Sequence, residues 1–183
     1  MFNKQPDSAL NPHFIFNSMN AIRYTIFEDQ DKASELLSEL AHLLRYKLAD
    51  GKIATSVHNE LSHISQYLSL EQLRLEERIT VKLDGMHLGE HLKLPCSVLL
   101  PMVEKILHEK DAYSVFENTL NLTCSTTDSG VLFSLYLTQS PKLKQGDIDF
   151  SNEISPLDGA VKYTLKQELT TNSYKMELEL NKL

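Results

Sequence analysis

The first half of the chain is governed by one pattern: apolar residues recur at alternating steps of three and four through three successive segments. They fall at Ile15, Met19, Ile22 and Ile26; at Ala33, Leu36 or Leu37, Leu40, Leu44 and Leu48; and at Val57, Leu61, Ile64, Leu68 and Leu75. This spacing draws a stripe along an α-helix and does not fit the alternation of a strand. It predicts helices from about Asp7 to Phe27, Asp31 to Ala49 and Ser56 to Arg78, the second stopped by Asp50-Gly51. Short connections at Glu28 to Asp31 and Asp50 to Thr55 make neighbouring helices antiparallel. One hairpin cannot cover its own stripes, so the pattern predicts a homodimer built as a four-helix bundle.

From Ile79 the pattern changes. Ile79-Thr80-Val81-Lys82-Leu83 has the composition of a strand, Ser97 to Lys110 reads as a helix, and strands are expected at about Thr119 to Ser125, Val131 to Thr138, Val161 to Glu168 and Tyr174 to Leu180. Asp128-Ser129-Gly130 reads as a hairpin turn, and Ser140 to Ala160, rich in Pro, Gly, Asp and Ser, as a long loop of the kind that often carries function. The fold class is therefore α+β, a helical segment over 1–78 followed by a sandwich-like domain over 79–183. With 183 residues, two small domains can bury enough apolar surface to fold without metals or disulfides.

A net charge of -7 without a basic stripe argues against nucleic acid, whose phosphates need clustered Lys and Arg. Cys96 and Cys124 lie in apolar segments without CxxC spacing, so no disulfide framework or zinc site is indicated and a reducing, cytoplasmic setting is expected. No run is long enough to insert into a membrane, and any membrane sensor is expected to lie outside this chain. His58 and His63 are five apart, outside the spacing of a shared helical metal site, while His87 and His91 straddle Gly89 in an expected turn. Arg45, Lys47 and Lys52 form a small basic cluster that reads as a solvated face.

Winding the first helix at about 100° per residue puts Asn17, Asn20 and Tyr24 within roughly 40° of His13. Ile15, Met19, Ile22 and Ile26 lie on the opposite side. An imidazole held away from the apolar seam is available as a nucleophile toward phosphorus, with Asn17 one turn on to orient a water or a phosphoryl oxygen. An exposed helical histidine is ordinarily no more than solvated, so this spacing permits chemistry without assigning it. Pro12, lacking an N–H, is expected to kink the helix just before His13.

The words around that histidine are more specific. Asn11-Pro12-His13-Phe14-Ile15-Phe16-Asn17-Ser18-Met19-Asn20 closely resembles the phospho-acceptor motif Asn-Pro-His-Phe-Leu-Phe-Asn-x-Leu-Asn of LytS-type sensor histidine kinases. In the same order follow Leu43-Leu44-Arg45-Tyr46, Glu60-Leu61, and Tyr67-Leu68-Ser69-Leu70-Glu71 with Arg74, each similar to a word of that family, over about Leu10 to Pro101. The resemblance implies that His13 is the phospho-acceptor, that the first segment dimerises, and that the second is a histidine-kinase-type ATPase sandwich.

That sandwich departs from the family pattern. Where the family reads Leu-x-Pro-Leu-Val-Glu-Asn-Ala-x-x-His-Gly, with the Asn on magnesium, the chain reads Leu99 to Lys110, keeping Glu104 but placing Lys105 at the Asn and Glu109-Lys110 at the His-Gly. Glu104 reads either as a polar relic or as an ordinary surface carboxylate. The adenine-reading Asp-x-Gly-x-Gly is replaced at Thr138-Gln139-Ser140-Pro141. Only the isolated Gly146 and Gly159 stand where a glycine-rich phosphate loop is due, and the closing Gly-Thr is missing from Thr170-Thr171-Asn172-Ser173. A degenerate ATPase sandwich without bound nucleotide or metal is expected, magnesium entering only at the partner's receiver domain. The function that follows is phosphotransfer between His13 and a response-regulator receiver, with Asn17 positioning a water or the phosphoryl group. Two alternatives stand beside it: a pseudokinase module that sequesters a response regulator or pairs with an active kinase, and a divergent kinase that still uses ATP.

Overall fold

The computed structural model describes residues 12–48, 54–75, 78–108, 118–138 and 148–182. Helices α1 (Pro12–Glu28) and α2 (Gln30–Leu48) form a tight hairpin. Its turn is closed by Asp29, whose N–H donates to the Thr25 carbonyl at 2.8 Å and whose carboxylate accepts the Lys32 N–H at 2.9 Å, capping α2. Pro12 is the first described residue of α1. The start expected over 7–11, and with it a kink ahead of His13, lies outside the described residues.

The buried face of α1 is not the expected stripe. Phe14, Ser18, Ile22 and Thr25 are buried, whereas Met19 is 54% and Ile26 45% exposed, as are Phe16 at 68% and Phe27 at 85%. On a helical wheel the covered face is centred roughly 75° from the predicted one. Helix α1 therefore carries two adjacent apolar faces. One packs against α2 and α3, and the other is uncovered in the single chain. On α2 the covered row is Ala33, Leu36, Leu40, Leu43 and Lys47, so Leu43 and Lys47 take the places expected of Leu44 and Leu48.

Strand β1 (Ala54–Ser56) leads into α3 (Val57–Leu75), where Ser56 Oγ accepts the Asn59 N–H at 3.2 Å. The expected stripe of α3 is buried, and so are Glu60, Tyr67, Leu70 and Glu71 on its other sides. A helix buried around so much of its girth lies between two bodies. On one side α3 contacts α1 and α2; on the other it contacts β2 (Ile79–Asp84) and α4 (Leu99–His108). It stands N-terminal to the division expected at Arg78, yet packs on elements from both sides of it. β1 pairs antiparallel with β3 (Lys93–Pro95), a two-stranded ribbon that three-residue strands do not announce in the sequence.

The main sheet has the order β2-β4-β5-β7-β6, with β4 (Asn118–Thr126), β5 (Gly130–Thr138), β6 (Lys162–Leu169) and β7 (Ser173–Asn181). β2 runs parallel to β4 and the remaining neighbours are antiparallel. Cross-strand rows such as Leu122-Leu135-Met176 and Cys124-Phe133-Leu178 put every second side chain on one face, which joins α3 and α4 in a single core. Gly130 closes the β4–β5 hairpin where a Cβ would stand 1.8 Å from the Leu180 carbonyl oxygen. The stretch expected as a loop over 140–160 carries, in its described part, helix α5 (Ser151–Ile154) and a 3-10 turn (Ser155–Leu157), with Ile148, Phe150 and Leu157 buried. This mixed α+β architecture agrees with the expected fold class. Cys96 and Cys124 form no disulfide among the described residues.

Candidate functional site

His13 lies on α1 with its side chain exposed. Helical spacing brings Asn17 beside it: the Asn17 amide nitrogen is 3.1 Å from Nδ1 and 3.3 Å from Nε2 of the imidazole, within reach of both ring nitrogens. The next residue, Phe14, is 1% exposed and packs its ring 5.0 Å from that of Tyr67 on α3. One residue of α1 is thus anchored in the core while its neighbour presents an imidazole to solvent. Asn20 and Tyr24, the rest of the predicted polar quartet, are also exposed.

Behind Phe14, on the buried side of α1, residues of the later sequence words come together. The Tyr67 hydroxyl lies 3.4 Å from His108 Nε2 at the end of α4. Glu71 is 1% exposed; its Oε2 accepts Arg74 Nε at 3.0 Å and a second guanidinium nitrogen, while Oε1 is buried without a hydrogen bond. Lys47, at the buried end of α2, meets Glu104 of α4 at 2.6 Å, with side-chain exposures of 2% and 16%. Lys47 is therefore no solvated cation, as the basic cluster suggested, and Glu104 is no simple surface carboxylate; Lys52 lies outside the described residues. A lysine at a position of the apolar row is the sequence signal for such a pair, because burying its ammonium requires a counter-charge.

A second convergence fixes α4. The Tyr46 hydroxyl donates to Glu60 Oε1, which also accepts the Ser97 N–H at 2.9 Å, and Glu60 Oε2 accepts the N–H groups of Val98 at 3.2 Å and Leu99 at 3.0 Å. A carboxylate from α3 thereby caps the N-terminus of α4, satisfying N–H groups that a helix leaves open and facing its positive dipole end. Burial pushes the Glu60 carboxyl above the usual carboxylate range, and the backbone donors of Ser97, Leu99, Leu100 and Val98 pull it back down. Burial likewise raises Glu104; Lys47 lowers it and the Glu71 charge raises it further.

Lys105, where the resemblance expects a magnesium-binding carboxamide, points its ammonium to Glu153 of α5 at 2.9 and 3.0 Å and to the Asp149 carbonyl, 5.8 Å from the Phe150 ring centroid. The cation so ties α4 to the α5 segment. Among the described residues no group of three or more His, Cys, Asp or Glu side chains is arranged to hold a metal ion, and no helix is long and apolar enough to cross a membrane.

Comparison with known proteins gives a consistent result. Residues 4–79 match the family model described as histidine kinase. The sensor protein kinase HptS of Staphylococcus aureus, in strains USA300 and NCTC 8325 / PS 47, is 28% identical over 130 residues. That match covers 70% of this chain and 25% of HptS, so the chain spans about a quarter of the length of these relatives. The nucleotide-free catalytic domain of histidine kinase ThkA has a like fold, with a TM-score of 0.50 at 15% identity over 71% of this chain and 96% of that domain.

Removing one member of the Lys47–Glu104 pair leaves the other charge buried, so Lys47→Met should lower unfolding free energy by about 3–5 kcal/mol. Replacing both by methionine should recover most of that loss in urea titrations. Carboxyls raised on folding hold their protons more tightly in the native state than in the unfolded chain. The Glu60 and Glu104 contribution to stability is therefore greatest on the acid side and falls as pH rises from the ordinary carboxylate value through their raised native ones. The doubly substituted protein should show a shallower decline than the wild type in the same titrations.

Proposed function

We propose, from the histidine kinase family and two-component signalling that these matches support, that this chain exchanges a phosphoryl group between His13 and the aspartate of a response-regulator receiver domain, without ATP of its own. The observation that carries the reading is the exposed His13 imidazole under the Asn17 amide, on a helix pinned by Phe14 in the core. In the forward step a neutral ring nitrogen attacks phosphorus. The P–O bond to the receiver aspartate breaks as the P–N bond forms, and magnesium at the receiver shields the leaving carboxylate. The Asn17 amide is placed to align a phosphoryl oxygen, or a water when the group is instead lost. A cytoplasmic setting belongs to this reading.

The second half of the chain does not fit a magnesium nucleotide. An ammonium engaged with Glu153 stands at Lys105, and the sequence carries no Asp-x-Gly-x-Gly or glycine-rich loop where the resemblance expects them. We read it as a degenerate ATPase sandwich that holds α1 and α2 in place. The alternative of a non-catalytic module, sequestering a regulator or pairing with an active kinase, draws on the same ion pairs, which make α4 a fixed strut. A divergent active kinase would need a rebuilt nucleotide site.

His13→Ala should abolish label uptake from a phosphorylated receiver and its return, with the fold intact, because the side chain is exposed and its loss makes no cavity. Asn17→Ala should keep transfer but slow dephosphorylation of the receiver, on the order of 10²-fold. Acid-labile, base-stable label identifies phosphohistidine. A wild-type protein that takes up no label, yet binds the receiver equally with and without His13, favours the sequestering module.

Calorimetry with Mg-ATP should show no binding down to the millimolar scale, about -4 kcal/mol. Tighter binding restores the active kinase.

The uncovered face of α1, with Phe16, Met19, Ile26 and Phe27, is assigned to a second copy of the chain in a four-helix bundle. Light scattering at micromolar concentration should give a dimer, and Met19→Lys with Ile26→Glu should shift it to monomer while leaving the covered face untouched.

A further inference from the structure

His63 of α3 lies flat on Tyr46 of α2, the ring centroids 3.9 Å apart and the planes 22° from parallel. The imidazole is half-buried, and its Nδ1 is 3.2 Å from Gln66 Oε1. A carboxamide oxygen can only accept, so Nδ1 carries the ring proton and Nε2 is the nitrogen that titrates.

The ring beneath this imidazole belongs to the contact between the two halves of the chain. The Tyr46 hydroxyl donates to Glu60 Oε1 and accepts the Ser97 N–H at 2.8 Å, while Glu60 also holds the N–H groups of Val98 and Leu99. Ser97 has a φ of 62°, in the left-handed region that a side chain with a Cβ disfavours. The turn into α4 is thus a strained conformation held by hydrogen bonds to its N–H, one of them from Tyr46.

From α2, the groups that face His63 are Tyr46 in the stack and His42, one turn before it. On α3 they are Gln66 and, one turn before His63, Glu60. The junction ahead of α4 adds Cys96, whose thiol burial and the Glu60 charge push up, so that it stays protonated. Burial lowers the proton affinity of His63, the Gln66 bond raises it, and the His42 charge lowers it again. A phenol face attracts a cation weakly at a partly exposed site, and the Glu60 carboxylate is already taken up by Tyr46 and backbone N–H groups. A depressed native value means that the unfolded chain takes the proton more readily. The stability given by the neutral ring is therefore whole above the ordinary imidazole range and is lost as pH falls through that range to the lower native value. Glu60 runs the other way, its raised carboxyl favouring the folded joint on the acid side.

We propose that His63 is an acid-operated release for the joint between α2 and α4: proton uptake at Nε2 drives the imidazolium off the Tyr46 ring, the Tyr46 hydroxyl leaves Ser97 and Glu60, and the left-handed turn into α4 relaxes. The hairpin that carries His13 is then held less tightly to the second half of the chain. The device needs no phosphoryl group on His13, so it stands or falls separately from the transfer reading.

Hydrogen exchange of the native full chain, followed by NMR between about pH 5 and 7.5 in wild type, His63→Phe and Tyr46→Phe, tests it. Phe at 63 keeps a ring on Tyr46 that cannot charge. Dividing each rate by that of His63→Phe at the same pH cancels the catalysis of exchange by solvent and the contribution of Glu60. Relative to that variant, the Val98 and Leu99 N–H groups of wild type should exchange roughly three- to ten-fold faster toward the acid side, the scale of one charge in a partly solvated site. The N–H of Leu135, at the centre of the sheet, should keep a constant ratio. Tyr46→Phe, lacking the hydroxyl that links the stack to α4, should show no such slope at Val98 and Leu99. A wild type that matches His63→Phe at every pH overturns the proposal. So does an equal acceleration at Leu135, which marks a loss of global stability, or a Tyr46→Phe protein that keeps the wild-type slope.

Discussion

The Glu60 carboxylate is the joint on which this structure turns. It is donated by α3, receives the Tyr46 hydroxyl from α2, and accepts the first N–H groups of α4. Three helices from both halves of the chain thus meet at two oxygen atoms. A buried carboxylate is tolerable only when its lone pairs are filled, and here backbone donors and a phenol fill them. Without that joint, α4 would begin with open N–H groups in the core, and the Tyr46 hydroxyl at the end of α2 would lose its carboxylate partner. The placement of Lys47 opposite Glu104, in the second turn of α4, follows from the same docking. So does that of Tyr67 beside His108 at the helix's far end.

Because α3 is gripped from both sides, α1 and α2 are not a free hairpin. Phe14, packed at a tilt against the Tyr67 ring, sets the rotation of α1 about its own axis. Once that rotation is fixed, His13 must point to solvent, Asn17 must follow it one turn on, and Met19 and Ile26 must face away from the chain's own core. The exposed apolar face and the exposed histidine are two consequences of one packing decision.

Much of this was legible in the residues. The three-four spacing located α1, α2 and α3, and β-branched alternation located the strands of the main sheet. The rotation of α1 was not legible, because Phe14, Ile15, Phe16, Met19, Ile22, Ile26 and Phe27 wrap far enough round the helix to support two stripes. Periodicity alone cannot say which is covered within the chain. Ser18 and Thr25, the polar members of the covered row, hid it further; Thr25 returns its hydroxyl to the Ala21 carbonyl at 3.1 Å and so costs little when buried. The ribbon of β1 and β3 escaped because three residues are too few to display a period. The helical turns at 151–157 escaped because their anchors, Ile148, Phe150 and Leu157, are spread among polar residues.

The two lysines that depart from the expected pattern show how polar positions can be reused. Lys47 interrupts an apolar row, and Lys105 stands where the resemblance expects a carboxamide; read singly, each is a local anomaly. In the structure both serve the same helix, Lys47 of α2 binding Glu104 of α4 and Lys105, the next residue of α4, binding Glu153 of α5. A buried ion pair is seldom more stabilising than an apolar pair of equal volume, but breaking it is costly, so it specifies one arrangement more than it strengthens it. Paired in this way on successive residues, the two cations fix α4 against α2 on one side and α5 on the other.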